Sequence, residues 1–234
     1  MTSLIIHGHF YQPPRENPWT GIVEAEPGAA PFHDWNERIH SECYQPNAFA
    51  RIADSETDSE RVANNYAKIS FNFGPTLLSW IEHNHADTYA RIIAADQESA
   101  LKRGGHGNAI AQAYGHAILP LCNERDLRTQ IRWGIADFSQ RFGRRPEALW
   151  LPETACNDEV MNALIDAGLR FVILAPSQAA RARVDGADWR IVDEHSMDTS
   201  IPYRYSHRDG SDRSIAVFFY EGPTSRAIAF ENLL

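Results

Sequence analysis

The sequence lacks the features that would place it in several large protein classes. Its three cysteines, Cys43, Cys122 and Cys156, are widely separated and form no C-x-x-C pair. This excludes a disulfide framework and a thiolate zinc site, and leaves small buried or half-buried thiols in a reducing compartment as the expectation. No apolar run is long enough to span a bilayer, and Met1-Thr2-Ser3 leads directly into Leu4-Ile5-Ile6 with no basic or long apolar leader. A cytoplasmic chain without a membrane partner is expected. Clusters of Lys and Arg are absent: 22 basic residues stand against 31 acidic ones, a net charge of −9. That balance argues against nucleic acid and suits a neutral polar substrate. The turn Gly104-Gly105-His106-Gly107-Asn108 lacks the G-x-x-x-x-G-K-[ST] pattern and follows no strand, so it is not read as a phosphate loop. No internal repeat or low-complexity segment is visible.

What is present is a core-forming α/β pattern. Of 234 residues, 43% are hydrophobic and 11% aromatic, enough to fill one large domain. Strands are predicted at 4–10, 69–73, 109–114, 171–174 and 214–220. Weaker extended pieces fall at 189–192 and 201–205. Helices are predicted from Asn47 to Ile52, Thr76 to His83 and Asp87 to Arg103. A further helix carries Leu127, Ile131, Ile135, Phe138 and Phe142 on one face, and another starts at Asn157. Residues 54–60 read as an acidic surface turn. The alternation of strand and helix predicts a TIM-barrel-like parallel (β/α) barrel spanning 1–234 as a single domain, with an irregular insertion at about 15–46. The chain ends shortly after its last strong strand with no obvious closing helix, so the barrel is expected to be incomplete at its carboxyl end.

The organising stretch is Arg144 to Glu153, in which a basic loop leads into Ala148-Leu149-Trp150-Leu151-Pro152-Glu153. Read as a strand, it puts Leu149, Leu151 and Glu153 on one face and Glu153 at the carboxyl end, where barrels collect catalytic groups. A carboxylate there can also be merely solvated or cap the next helix. His7 and His9, two apart at the end of the first strand beside Tyr11 and Gln12, read as a site lining, and H-x-H is also a metal-ligand spacing. His116 is a third histidine at a strand's carboxyl end. Trp19, Trp35 and Tyr44 can stack sugars or pin their loop to the core. His83 and His85, between two helices, are expected at the surface.

These motifs in order resemble glycoside hydrolase family 57. The elements are His7-Gly8-His9 with Gln12-Pro13, the Tyr114-to-Pro120 stretch, Phe142-Gly143-Arg144-Arg145-Pro146 leading into Trp150-Leu151-Pro152-Glu153, and Val217-Phe218-Phe219 followed by Ser225 and Phe230. The resemblance is closest to bacterial members with a further carboxy-terminal domain of unassigned function. It implies a distorted parallel (β/α)7 barrel acting with retention on α-glucans, as an amylase, 4-α-glucanotransferase or branching enzyme, without metal or cofactor. Glu153 matches the family's nucleophile; His9 and His116 match histidines of the sugar subsite, and Trp150 an aromatic beside the nucleophile. His7, Gln12 and Trp19 complete the expected binding set for an oligo- or polysaccharide. Phe10-Tyr11 here separates the second histidine from Gln-Pro, and Ala109-Ile110 stands where many members carry a glutamate. The family's acid/base aspartate belongs to a motif beyond the final strand, past Leu234. Two other readings remain open: a metal-dependent carbohydrate deacetylase with His7, His9 and His116 around Zn²⁺ and Glu153 as base, or a non-catalytic glucan-binding module.

Overall fold

A computed structural model describes residues 3–54, 59–184 and 186–231. The chain divides into two compact units, Met1–Ile110 with Asp137–Arg145, and Ala111–Ala136 with Pro146–Leu234.

In the first unit, β1 (His7–Phe10) pairs in parallel with β4 (Ser70–Phe73), and Phe71 bridges in parallel to Ala109. One face of these strands is aromatic because side chains alternate along an extended chain. Phe10 stacks on Phe73 with centroids 4.7 Å apart and meets Tyr66 edge-on at 5.3 Å. Tyr44, Tyr66 and Phe71 are fully buried beneath them. Helices α3 (Pro75–Asn84) and α4 (Ala86–Lys102) fall within a residue or two of their expected limits.

The stretch expected as irregular is helical from its middle onward. Helix α1 (Trp35–Ile39) runs into a π-helical turn (His40–Tyr44) and then α2 (Gln45–Ala48). Asp34 starts this run: its carboxylate accepts from the amides of Asn36 and Glu37, satisfying donors that a helix start leaves open. The helix expected from Asn47 to Ile52 does not form. Ala50–Asp54 is instead strand β2, antiparallel to β3 (Ser59–Ala63). The Asn47 side chain donates back to the Cys43 carbonyl at 2.9 Å rather than capping forward. Residues 55–58 of the acidic turn lie outside the described residues.

In the second unit, β5 (Ala111–Gln112) and β6 (Leu149–Trp150) are parallel, and Ala148 bridges in parallel to Phe171. Strand β7 (Phe171–Leu174) is parallel to β11 (Ser214–Phe219), which takes β10 (Tyr203–Ser206) antiparallel on its other side. A small hairpin joins β8 (Arg181–Ala182) to β9 (Arg190–Ile191). Helix α5 (Glu124–Phe142) starts in this unit and ends in the first. Of its predicted inner face, Leu127, Ile131, Phe138 and Phe142 are buried and Ile135 is half-buried. A Cβ on Gly134 of α5 would lie 2.0 Å from the Gln112 carbonyl, so only glycine lets the helix approach β5 this closely.

Helix α6 (Asp158–Asp166) starts as expected at Asn157, whose side chain accepts from the Val160 amide at 2.9 Å. The chain does close on a helix, contrary to expectation: α7 (Gly222–Phe230) follows β11, capped by Glu221. Gly222-Pro223 conceals it in the sequence, although proline in the first helical turn costs nothing. No helix among the described residues is long and apolar enough to cross a membrane.

Candidate active site

The first unit supplies a histidine pair locked to its neighbouring strand. Parallel pairing sets His7 opposite Ser70 and His9 opposite Asn72, all four on the face away from the aromatic core. Asn72 is fully buried and serves both rings. His7 Nε2 donates to Asn72 Oδ1 at 3.1 Å, and the Asn72 amide donates to His9 Nδ1 at 3.0 Å. His7 Nδ1 accepts from the Ser70 hydroxyl at 3.0 Å. His9 Nδ1 also lies 3.2 Å from Asn72 Oδ1, so Asn72 holds the ring through Nδ1 in either tautomer. Burial pushes the His7 pKa down to about 4, although the Asn72 bond works against it, so the ring is neutral at neutral pH.

That shift has a consequence for stability. His7 titrates near 6.5 when unfolded and near 4 in the fold. The unfolded chain therefore binds more protons in that window, and stability must fall as pH drops from about 6.5 to about 4. With a discount for partial exposure, the expected loss is about 2 kcal/mol. Urea midpoints at pH 7 and 4.5 measure it; a His7→Asn variant should show a smaller acid loss, and an unchanged loss would refute the assignment.

Gln12 is tied into the following loop. Its Oε1 accepts from Arg15 at 2.9 Å, and Arg15 pairs with Glu26 at 2.6 Å. Trp19 stands at the tip of a turn folded around Asn17 and is 92% exposed, so it does not pin the loop to the core. Tyr44 does so, buried at the end of the π-turn. Trp35 is half-buried under the Arg38 guanidinium.

The second unit carries Glu153, His116 and Trp150. Leu149 and Leu151 are fully buried, as their strand alternation requires, but the alternation stops before Glu153. Pro152–Thr154 forms a 3-10 turn in which Glu153 has φ 54° and ψ 18°, so the carboxylate stands on a tight turn beyond β6 rather than on the strand. Proline at 152 offers no amide to continue the ladder. Thr154 and His116 also have positive φ, 53° and 54°, and these are the only non-glycine residues in that region among those described. The left-handed conformation costs an ordinary residue on the order of 1–2 kcal/mol and is held where surrounding structure demands it, often at functional sites.

The His116 turn is fixed from behind by α5. The Gly115 amide donates to Gln130 Oε1 at 2.6 Å and the Tyr114 amide to the Gln130 carbonyl at 3.2 Å. Burial lowers the His116 pKa while the charge of Glu153 opposes that fall, which makes the two side chains electrostatic neighbours. Trp150, half-buried, pairs across β5–β6 with Gln112. Glu221 is an unsuitable general acid. Its carboxylate accepts from the Thr224 amide at 2.6 Å as a helix cap, which holds its pKa below the usual range, whereas a general acid needs a raised one.

His7 has both ring nitrogens engaged by Ser70 and Asn72, and His9 has Nδ1 engaged by Asn72, an arrangement suited to hydrogen bonding more than to zinc ligation. The donors that do cluster among the described residues are Glu37, His40 and His85. Expected at the surface, His85 is instead packed with its ring against buried His40. Sequence reading missed His40 because it lies in the stretch taken as irregular; the Glu37-Arg38-Ile39-His40 spacing was the available signal.

The family model described as glycosyl hydrolase family 57 matches residues 11–232. A 107-residue segment, 45% of the chain, is 24% identical to alpha-amylase 1 of Dictyoglomus thermophilum. A segment of 107 residues, 46% of the chain, is 28% identical to 4-alpha-glucanotransferase of Thermococcus litoralis. Each match spans 15% of the relative's length. The solved structure of the Thermococcus litoralis 4-alpha-glucanotransferase superposes with a TM-score of 0.62 at 19% identity, covering 97% of this chain and 28% of that one, which marks a shared fold.

Proposed function

The chain belongs to glycosyl hydrolase family 57, and we propose that it carries the nucleophile of a retaining α-glucan hydrolase or transferase. The observation that carries this reading is Glu153, exposed on a left-handed turn beyond β6, with half-buried His116 as its electrostatic neighbour. In a retaining reaction the Glu153 carboxylate attacks the anomeric carbon, the glycosidic oxygen leaves with a proton from a second carboxyl group about 5–5.5 Å away, and that group then activates water or an acceptor sugar.

His116, kept neutral by burial, donates to or accepts from the substrate or Glu153 without neutralising the nucleophile. The His9 ring, oriented by Asn72 at Nδ1, suits hydrogen bonding to a sugar hydroxyl. Trp150 in the second unit and Trp19 in the first each offer aromatic surface for a sugar ring, and the family resemblance adds Gln12 as a sugar-binding candidate. The α-glucan class is drawn from the relatives' names, alpha-amylase and 4-alpha-glucanotransferase. The distorted (β/α)7 barrel, one catalytic domain over 1–234, extends the parallel pairings within each unit and the likeness in fold. A cytoplasmic setting accords with three free cysteines.

Incubation with 5-fluoro-α-glucosyl fluoride, followed by intact-mass and peptide mapping, tests the proposal. Fluoride departs with little acid assistance, so the glycosyl-enzyme forms without the second carboxyl. The expected adduct is on Glu153; an adduct on another residue, or none in the folded protein, counts against it.

A further inference from the structure

The first unit holds a second group of chemistry-bearing side chains, distinct from the histidine pair on β1. Glu37 and His40 are spaced i, i+3, so they share one side of α1. His40 opens the π-helical turn, a distortion common at functional sites. From the junction of α3 and α4, His85 faces both. Its Nε2 lies 3.1 Å from Glu37 Oε2, and its ring stacks on that of His40 with centroids 3.5 Å apart. One donor atom from each of the three lies within 4.8 Å of the others.

We propose that Glu37, His40 and His85 bind a divalent transition-metal cation of zinc-like preference. Two imidazoles and a carboxylate suit such ions, whereas magnesium and calcium favour sites made wholly of oxygen. Tetrahedral zinc with bonds of about 2.0–2.1 Å keeps neighbouring ligand atoms about 3.3 Å apart. The 3.1 Å separation of His85 and Glu37 already approaches that edge, so the cation takes the place of the proton they share. His40 has the outer-sphere partner that ligating histidines usually show: its Nε2 donates to buried Thr88 Oγ1 at 3.0 Å, which turns Nδ1 toward the ligand role.

The stacked rings must splay for two lone pairs to converge. His85 has room to do so, its side chain being 22% exposed, while His40 is fixed and 3% exposed. Glu37 also forms part of the wall of a cleft of about 660 Å³ that includes Asp34, His33 and Trp80. A fourth coordination position opening on that cleft would take water or a small anion. The Glu-x-x-His spacing on a helix is the arrangement that bundle metalloproteins use to project two ligands together.

Titrating the 234-residue protein with Co²⁺ tests this. Saturable visible d–d absorption and stoichiometric Zn²⁺ retention on equilibrium dialysis are expected. Glu37→Gln and His85→Ala should each weaken binding by at least about tenfold, while His83→Ala leaves it unchanged. Glu37→Gln is nearly isosteric, and an unaltered circular dichroism spectrum separates lost ligation from lost fold. Absence of binding at micromolar cobalt would overturn the proposal. So would binding that survives both substitutions, or binding lost instead in His9→Ala.

Discussion

Glu153→Gln is expected to lower glucosyl transfer from α-glucosyl fluoride by at least about a thousandfold, with the thermal midpoint nearly unchanged. The amide keeps the shape of the carboxylate but cannot form a stable ester with the anomeric carbon, and the fluoride donor removes dependence on a general acid. Glu153 is exposed and lies at φ 54°, so the fold gains nothing evident from a glutamate there. Asparagine adopts the left-handed region more readily. Glu153→Asn should therefore raise stability by up to about 1 kcal/mol while abolishing transfer. A solvated or capping carboxylate predicts the opposite pattern, with transfer retained in both variants. Assaying rate and melting temperature on the same samples separates the two.

The parts of the fold legible in the sequence were those governed by local periodicity. Helices α3 to α6 carry apolar residues at helical spacing, and their ends are set by Pro75, Asn157 and Gly143. The H-x-H pair was legible too, because strand alternation is a two-residue rule. Less legible was anything fixed by distant partners. Nothing local reveals that Asn72 orders both histidines across 63 and 65 residues of chain. Glu153 looked like the next position of a strand, but Pro152 ends the ladder one residue earlier and the carboxylate is presented by a turn. The 35–48 helices were hidden by aromatics and prolines that read as loop, although Asp34 was a cap in plain view. His85 looked superficial because its burial depends on a stacking partner 45 residues before it.

The glycine-rich turn 104–108 shows how an unused motif finds a structural reason, and it leads to the largest stability effect expected. Asp96 on α4 is 1% exposed and is held by Arg144 through two bonds, Nε to Oδ2 at 2.9 Å and Nη2 to Oδ1 at 2.8 Å. The same carboxylate accepts from the Ala109 amide at 2.7 Å, and Arg144 donates to the Ala109 carbonyl at 2.8 Å. A Cβ on Gly107 would strike both Asp96 and Arg144, so glycine is what lets the turn pass over the pair. Together these groups seat Ala109 beside Phe71 and so extend the sheet that carries the histidines. Arg144→Ala strands a buried carboxylate and is expected to cost about 3–5 kcal/mol in urea unfolding. Asp96→Asn/Arg144→Ala together should cost less than the sum of the single changes, because the second substitution removes the charge that the first left unpaired. A loss below about 1 kcal/mol for Arg144→Ala would mean that water reaches Asp96 and that Ala109 is held by its backbone pairing alone.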